Sequence, residues 1–177
     1  MRVSLEWLRE FVEVEADAEE IARRLTIAGL EVGNVENPGV PYRGLKAAKV
    51  LSAKAMPDAE NLWVVELAVG QNEKAVAVAG IDNYKPGDFV PFVPAGAKMP
   101  GGMVIEGREF KGVKSNGMLC SMKELELGLD HTGIWVMNDC VRKNTQPGDS
   151  LSEALELEGL ITRGAGANPE WGDYAGR

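Results

Sequence analysis

The chain has 177 residues, of which 45% are hydrophobic and 26% are charged, and its formal net charge is −8. This length fits one domain or two small ones, and the composition excludes a chain that is mainly disordered. The negative charge disfavours non-specific binding to nucleic acid, because an acidic protein repels phosphate at long range. Two cysteines and one histidine are too few for a disulfide scaffold or a zinc site. We therefore expect two free thiols, no metal and no cofactor.

The N-terminal region, residues 1–38, is predicted to be largely helical. Apolar residues at helical spacing predict a short helix near residues 4–11 and a second helix over 17–28, which Asp17 can cap. Residues 30–35 alternate between apolar and polar side chains and predict a short strand. The Asn, Pro and Gly residues that follow indicate a domain boundary.

Residues 42–149 have the pattern of a β domain. Short apolar runs alternate with clusters of Gly, Pro, Asn and Asp, which is typical of a small all-β barrel or sandwich. Strands are predicted at 45–53, 62–69, 75–79, 89–93, 103–105 and 134–137. The segment 115–128 is less strand-like, and Met122, Leu125 and Leu129 are predicted to share the face of a short helix.

A helical pattern returns after residue 149. Ser150 can cap a helix that continues to Leu157, and residues 160–162 predict a short strand. We expect residues 150–163 to fold with residues 1–38 into one small α/β module, with the β domain inserted between them. Residues 164–177 have no core-forming pattern and are predicted to be a flexible tail.

Several sequence motifs carry a family resemblance. The segments MPDAENL at 56–62 and GVKSNGMLCS at 112–121 resemble the tRNA-binding OB-fold domain shared by stand-alone tRNA-binding proteins, synthetase appendages and bacterial phenylalanyl-tRNA synthetase beta subunits. The segments VSLEWLREFV at 3–12 and LTIAGLEV at 25–32 resemble the start of that beta subunit, and DHTGI at 130–134 is also similar. The resemblance covers about residues 1–160 in unbroken order.

The resemblance implies an α+β chain in which an OB-fold barrel is inserted into the small α/β module. It implies a non-catalytic role in the cytoplasm, combining auxiliary tRNA contact with structural support in translation. In that family the aminoacylation site lies on the alpha subunit, so we expect no catalytic residue here and an alpha subunit or another protein as a partner. The family's beta subunit continues through further domains, whereas the Gly-Ala repeat at 164–167 favours a naturally short chain or a foreign tail over an excised N-terminal portion.

The predicted tRNA-binding residues lie in the basic middle of the chain, where residues 97–123 have a net charge of +3. In the family a Ser-x-Gly-Met turn lies on the RNA-facing side of the barrel. Its serine and asparagine can bond phosphates or base edges, its glycine permits close approach, and its methionine can pack on a base. The predicted set is Lys98, Arg108, Lys111, Lys114, Ser115, Asn116, Gly117 and Met118. The alternative is a β-turn with Met118 and Leu119 in the core and the lysines solvated.

Two departures from the family pattern weaken the expected RNA contact. Met56 stands where the family usually has histidine, and Asn61 where it usually has lysine, so an imidazole and a phosphate-pairing charge are lost. We therefore expect weak tRNA binding. The alternative function is a protein-interaction adaptor that reuses the barrel with RNA binding lost. Cys120 and His131 are not expected to form a catalytic pair, because Cys120 lies in an apolar stretch.

Overall fold

A computed structural model describes residues 3–56, 59–157 and 160–161. These residues divide into two compact units, one containing residues 3–40, 157 and 160–161, and the other residues 41–156. None of the helices in these ranges has the length and apolar character needed to span a membrane. The predicted tail at 164–177 lies outside the described residues.

The first unit contains both helices predicted near the N-terminus, α1 Leu5–Arg9 and α2 Ala18–Ile27. Asp17 caps α2, because its carboxylate accepts a hydrogen bond from the backbone N of Glu20 at 2.9 Å. Gly29, at φ +90°, follows the helix end. The apolar side chains whose spacing predicts α2 are not buried in the structure. All ten residues of the helix are described, and none of them is buried.

A two-stranded antiparallel sheet completes the first unit. Strand β1 Val3–Ser4 pairs with β9 Leu160–Ile161, so the strand predicted near residue 160 is confirmed for the residues described. The strand predicted at 30–35 is wrong, because this segment is irregular and mostly exposed. Alternation of apolar and polar residues favours a strand only where a neighbouring strand or a core receives one face.

The second unit is a nearly closed five-stranded antiparallel barrel of the OB-fold type. Its strands lie in the order β4-β3-β2-β5-β8. They are β2 Lys46–Ala55, β3 Trp63–Ala68, β4 Lys74–Ala79, β5 Phe89–Pro94 and β8 Gly117–Leu119. A separate hairpin consists of β6 Arg108–Phe110 and β7 Val113–Ser115. The first four predicted strands are therefore confirmed within two residues at each end.

The remaining predictions for the barrel are wrong. Residues 103–105 form only an isolated bridge, between Val104 and Lys98. Residues 134–137 run beside the barrel and bond it at single points, such as Met137 N to Phe89 O at 2.9 Å, without forming a ladder. The fifth strand instead lies in the segment 115–128, whose sequence is less strand-like and predicts a short helix face at Met122, Leu125 and Leu129. Residues 122–126 of that segment are turns, and Leu129 is 89% exposed.

The barrel core comes from alternate residues of the strands. Val65 and Leu67 of β3 and Ala77 of β4 are fully buried, while their sequence neighbours are more exposed. This alternation is the period of two that strands show when one face packs on a core. Phe92 of β5 and Leu119 of β8 complete the same cluster.

After residue 149 the chain forms a short helix, α3 Leu151–Ala154, which confirms the helix predicted to begin at Ser150. Leu151 and Ala154 are fully buried, so this helix belongs to the packed part of the second unit. The helix is shorter than predicted, because Glu156 adopts a positive φ of 53°.

Candidate nucleic-acid interface

The β6–β7 hairpin carries much of the predicted site. Arg108 pairs with Ser115, Glu109 with Lys114, and Phe110 with Val113. Between the strands, Lys111 and Gly112 have φ values of +45° and +84°. Two successive positive φ values are typical of the type I′ turn, which connects antiparallel strands tightly and favours glycine. Lys111 is therefore at the exposed tip of the hairpin.

The strand pairing divides the hairpin side chains between two faces. Cross-strand partners share a face, and successive residues alternate between faces. Arg108, Phe110 and Ser115 therefore lie on one face, which we call the groove face. Glu109 and Lys114 lie on the other face, where a carboxylate and an ammonium of opposite charge occupy neighbouring positions.

A groove of about 710 Å³ lies along the groove face. Its apolar lining includes Val78, Ile81, Met103, Val104, Phe110 and Met118. Its charged lining consists of Arg108, Lys123, Glu106 and Glu124, with His131 beside them. Two cations thus oppose two carboxylates in the groove, although the surrounding stretch of sequence is basic.

Ser115 and Asn116 close the barrel between its two end strands. Ser115 is 3% exposed, and its Oγ donates to Gly117 O at 2.8 Å and accepts from Val78 N at 3.1 Å. The backbone N of Asn116 donates to Val76 O at 2.7 Å, and its Oδ1 accepts from Val76 N at 3.1 Å. The side-chain oxygens of Ser115 and Asn116 thus accept two hydrogen bonds from β4 that backbone carbonyls of a neighbouring strand would accept in a regular ladder. The Ser115 hydroxyl is engaged in the fold on both its donor and acceptor sides.

Gly117 is placed where the barrel's own strands approach each other. It pairs with Pro94, and a Cβ at this position would overlap the Val93 carbonyl oxygen and lie 2.7 Å from the Phe92 ring. The next residue, Met118, is half-buried and lines the groove. Leu119 belongs to the core cluster. The alternative that placed both Met118 and Leu119 in the core therefore fits Leu119 alone.

The structure brings half of the predicted set to the groove. Arg108, Ser115, Gly117 and Met118 line it, whereas Lys98, Lys111, Lys114 and Asn116 are exposed outside its lining. Lys98 lies opposite Val104 in the isolated bridge, at the edge of the loop that carries the groove residue Met103.

Sequence reasoning missed Phe110, Lys123 and His131 as groove residues. Phe110 had a readable signal, since an aromatic residue within a basic stretch is a common feature of nucleic-acid binding sites. No sequence signal indicated His131, because only the tertiary structure brings its loop to the groove. One hydrogen bond of that fold runs from Lys123 N to Asp130 O at 3.0 Å.

The groove-side loops are fixed by local hydrogen bonds. Asp130 Oδ1 accepts from Thr132 N at 2.9 Å and from Thr132 Oγ1 at 2.8 Å, and these bonds hold the pKa of Asp130 below its usual value. Glu124 Oε2 accepts from both the backbone N and the Oγ of Ser121 at 2.7 Å. One oxygen of the Glu124 carboxylate, which lines the groove, is therefore engaged in hydrogen bonds within its own turn.

Cys120 is not activated for nucleophilic chemistry. Its side chain is fully buried, and burial, with a smaller contribution from the Glu124 charge, raises the pKa of its thiol to about 12. A thiol with such a pKa remains protonated at neutral pH. Cys120 and Cys140 are both free. Across residues 3–56, 59–157 and 160–161, no group of three or more potential metal ligands is present.

In the loop at 56–62, Met56 and Asn61 supply neither the imidazole nor the lysine charge that the family pattern implies. The Met56 side chain is 5% exposed, and its backbone N donates to Leu62 O at 2.8 Å. Asn61 is exposed with φ +59°, a conformation that asparagine tolerates better than most residues. Pro57 and Asp58 lie outside the described residues. Met56 therefore contributes to the interior and not to the surface.

OB-type barrels are typical of proteins that bind oligonucleotides, and aromatic and cationic side chains such as Phe110 and Arg108 are common in their binding sites. Residues 45–145 match the family model described as "Putative tRNA binding domain", and the chain belongs to this tRNA-binding domain family.

The chain is also similar to longer proteins. It is 40% identical over 161 residues to the phenylalanine–tRNA ligase beta subunit of Anaeromyxobacter dehalogenans, covering 91% of this chain and 20% of that protein. The corresponding subunit of Nitratidesulfovibrio vulgaris is 40% identical over 157 residues, covering 89% and 20%. The chain thus spans about a fifth of these relatives. A solved structure of a MetRS-related protein from Pyrococcus horikoshii aligns with 60% of this chain and 87% of its own, at 23% identity and a TM-score of 0.42.

Proposed function

We propose that this chain is a non-catalytic module that contacts tRNA through the groove beside the β6–β7 hairpin. The observation that carries the proposal is the position of Arg108, Phe110 and Met118 on one groove of a domain from the tRNA-binding family. An arginine can pair with phosphate, while a phenylalanine ring and a thioether can pack against bases.

Within this proposal the predicted residues have two different roles. Arg108 and Met118 contact RNA, while Ser115 and Gly117 hold the strands that position them. Lys98, Lys111 and Lys114 lie outside the groove lining, where their charges contribute long-range attraction to phosphate rather than close contact. Asn116 has no charge, and its hydrogen bonds with Val76 help to close the barrel.

Three further proposals concern the larger assembly. The sequence predicts one discontinuous module of residues 1–38 and 150–163 with the barrel at 42–149 inserted between them. The pairing of β1 with β9 supports this proposal for residues 160–161, whereas α3 belongs to the unit of residues 41–156. The similarity to phenylalanine–tRNA ligase beta subunits supports the proposal that a synthetase alpha subunit is a protein partner. It also supports a role in structural support during translation in the cytoplasm.

A protein-interaction adaptor is the second candidate function. It is favoured by the balance of two cations and two carboxylates in the groove, and by Met56, which is buried where the family usually has histidine. An adaptor would use the same apolar groove to bind a protein segment and would not bind tRNA.

A tRNA titration separates the two functions. We expect wild-type protein to bind unmodified tRNA weakly. An increase in salt of about fourfold should lower affinity roughly tenfold, since two groove cations correspond to about two phosphate contacts. Met118→Ala should lower affinity and leave the salt dependence unchanged, because a base contact releases no counterions. If wild-type protein does not bind tRNA at low salt, the tRNA role is wrong and the adaptor function replaces it.

A further inference from the structure

Helix α2 lacks the packing that normally stabilises a short helix. It has ten residues, and helices shorter than about 12–15 residues are marginal in water unless an apolar face is buried. Ala18, Ile21, Ala22 and Leu25 lie on one side of α2, at the spacing of a core-facing stripe. None of the ten residues of the helix is buried, and Leu25 is 38% exposed. The apolar face of α2 is therefore available to a partner.

A groove of about 830 Å³ follows this face and continues onto the segment before the helix. Its apolar lining comes from Val14, Ala16, Ile21 and Leu25, and we call it the α2 groove. All of its lining residues belong to the first unit, and none of them lines the groove beside the β6–β7 hairpin. The α2 groove is thus a separate surface from the one proposed to contact tRNA.

The lining of the α2 groove is acidic as well as apolar. It includes the carboxylates of Glu13, Glu15, Asp17 and Glu20, with Arg24 as its one cation among the residues that the structure describes. Arg24 is already paired with Glu20 at 2.7 Å. In the described part of the chain, no ion pair involves Glu13 or Glu15. A ligand of this groove therefore has to supply positive charge together with apolar side chains.

This charge argues against three other ligands. Nucleic acid and the anionic surface of a membrane are both repelled by a cluster of carboxylates. A second copy of the chain would bring an identical acidic groove and a further net charge of −8. A protein with a basic and apolar surface is the ligand whose charge complements the groove.

We infer that the α2 groove binds a basic amphipathic helix of another protein. The apolar side chains of that helix pack against Ile21 and Leu25, while its lysines or arginines pair with Glu13 and Glu15. A helical ligand fits because the apolar stripe of α2 has the repeat along which a second helix packs. The inference goes beyond the proposed tRNA contact and does not depend on it, since the two grooves share no residue.

The test uses the full chain and a labelled synthetic peptide, with binding measured by fluorescence anisotropy. The peptide has about 14 residues, or four helical turns, with leucines on one face of the helix and lysines elsewhere. One comparison peptide replaces every lysine by glutamate, and the other has the same composition in an order that spreads the leucines around the helix. We expect the first peptide to bind at least about tenfold more tightly than either comparison. Its affinity should fall as salt rises, because the acidic side chains are accessible to solvent.

Two matched pairs of variants assign the binding to the α2 groove. Glu15→Gln should weaken binding of the lysine peptide about twofold to fivefold, whereas Glu19→Gln removes the same charge outside the groove lining and should leave binding within about 1.5-fold of the wild type. Leu25→Ala should weaken binding about fivefold or more. Ile27→Ala, at a side chain that is 73% exposed and outside the lining, should leave it unchanged. None of these four side chains is buried, so the fold does not depend on them.

Amide hydrogen exchange provides a second measurement. Exchange along α2 should slow when the lysine peptide binds, because the helix gains the packing that it lacks in the free chain. Addition of tRNA should leave exchange along α2 unchanged, and slowing by tRNA would make RNA the ligand and overturn the inference.

The remaining outcomes are separable. If the glutamate peptide binds as well as the lysine peptide, or if Leu25→Ala and Ile27→Ala bind alike, the inference is wrong. If the free chain self-associates and Leu25→Ala abolishes the association, a second copy occupies the groove and the inference is also wrong. A chain that binds the lysine peptide in the α2 groove but does not bind tRNA refutes the proposed function and leaves this inference intact.

Discussion

The two faces of the β6–β7 hairpin show how differently neighbouring residues can be used. On the groove face, Arg108 and Phe110 line a concave surface shared with Met118. On the opposite face, Lys114 pairs across the strands with Glu109. All of these residues belong to the segment 97–123, whose net charge is +3. A net charge along the chain therefore does not define a charged surface, because strand alternation sends successive side chains to opposite sides.

The largest loss of stability is expected from a substitution that disturbs the close pairing of β5 with β8, the strand that follows the hairpin. Gly117→Ala would press a methyl group against the Val93 carbonyl and the Phe92 ring, and we expect it to lower the free energy of unfolding by about 3 kcal/mol. The matched control is Gly112→Ala in the hairpin turn, where no heavy atom lies within 4 Å of the added Cβ. There only the positive φ opposes alanine, at about 1 kcal/mol.

Chemical denaturation measures both changes. If Gly117→Ala cost no more than Gly112→Ala, the close approach of β5 and β8 would not be the feature that requires glycine.

A smaller loss of stability should distinguish Ser115 from Asn116, the two residues whose side chains bond to β4 and close the barrel. Ser115→Ala removes the buried Oγ that accepts from the part-buried N–H of Val78, and this should cost about 1–3 kcal/mol of unfolding free energy. Asn116 is exposed, so water can replace its bond to Val76 N, and Asn116→Ala should cost less than about 1 kcal/mol. Equal losses would contradict the assignment of Ser115 as the buried closing residue.

The alkaline stability of the barrel should depend on Cys120. Burial raises the pKa of this thiol to about 12 in the folded protein, whereas an unfolded cysteine ionises near pH 8.5. The stabilising contribution is therefore fully present below the unfolded pKa and is lost as the pH rises toward 12. By pH 10 the loss should be roughly 1–2 kcal/mol.

Comparison of the wild type with Cys120→Ala isolates this contribution, because burial also raises the pKa values of Tyr42 and Tyr84 to about 12 and their alkaline effects remain in both proteins. Thiol labelling provides a second readout. The exposed Cys140 should react first, and Cys120 should react only as fast as the barrel opens. Equal labelling rates would show that Cys120 is accessible in the folded state.

The sequence predicted the longer elements well because their patterns and their burial agree. The strands β2 to β5 stand out in the sequence as short apolar runs between turn residues, and these runs supply core residues such as Val65, Leu67 and Ala77. The prediction missed β8 because it is three residues long, begins with glycine and is separated from β7 only by Asn116. It placed a strand at 134–137 because an extended apolar segment resembles a strand even where only isolated hydrogen bonds hold it.

The candidate site was only partly predictable, for a similar reason. The family resemblance led to the Ser115–Met118 turn, and the structure places Met118 at the groove. The resemblance did not reveal that Ser115 and Asn116 are engaged in closing the barrel, because both serve β4, which lies about forty residues earlier in the chain. Nor did it separate Arg108 from Lys114, since their faces depend on the hairpin register.

The most direct test of the account compares tRNA binding by Arg108→Ala and Lys114→Ala over a range of salt concentrations. Both substitutions remove one positive charge from the same hairpin, and both side chains are exposed. We expect Arg108→Ala to weaken binding several-fold at low salt and to reduce the slope of log affinity against log salt by about 0.7–0.9, the value for one lost phosphate contact. Lys114→Ala should weaken binding less than about twofold and leave the slope unchanged. Equal losses of affinity and slope for the two variants would contradict the claim that the groove face alone contacts RNA.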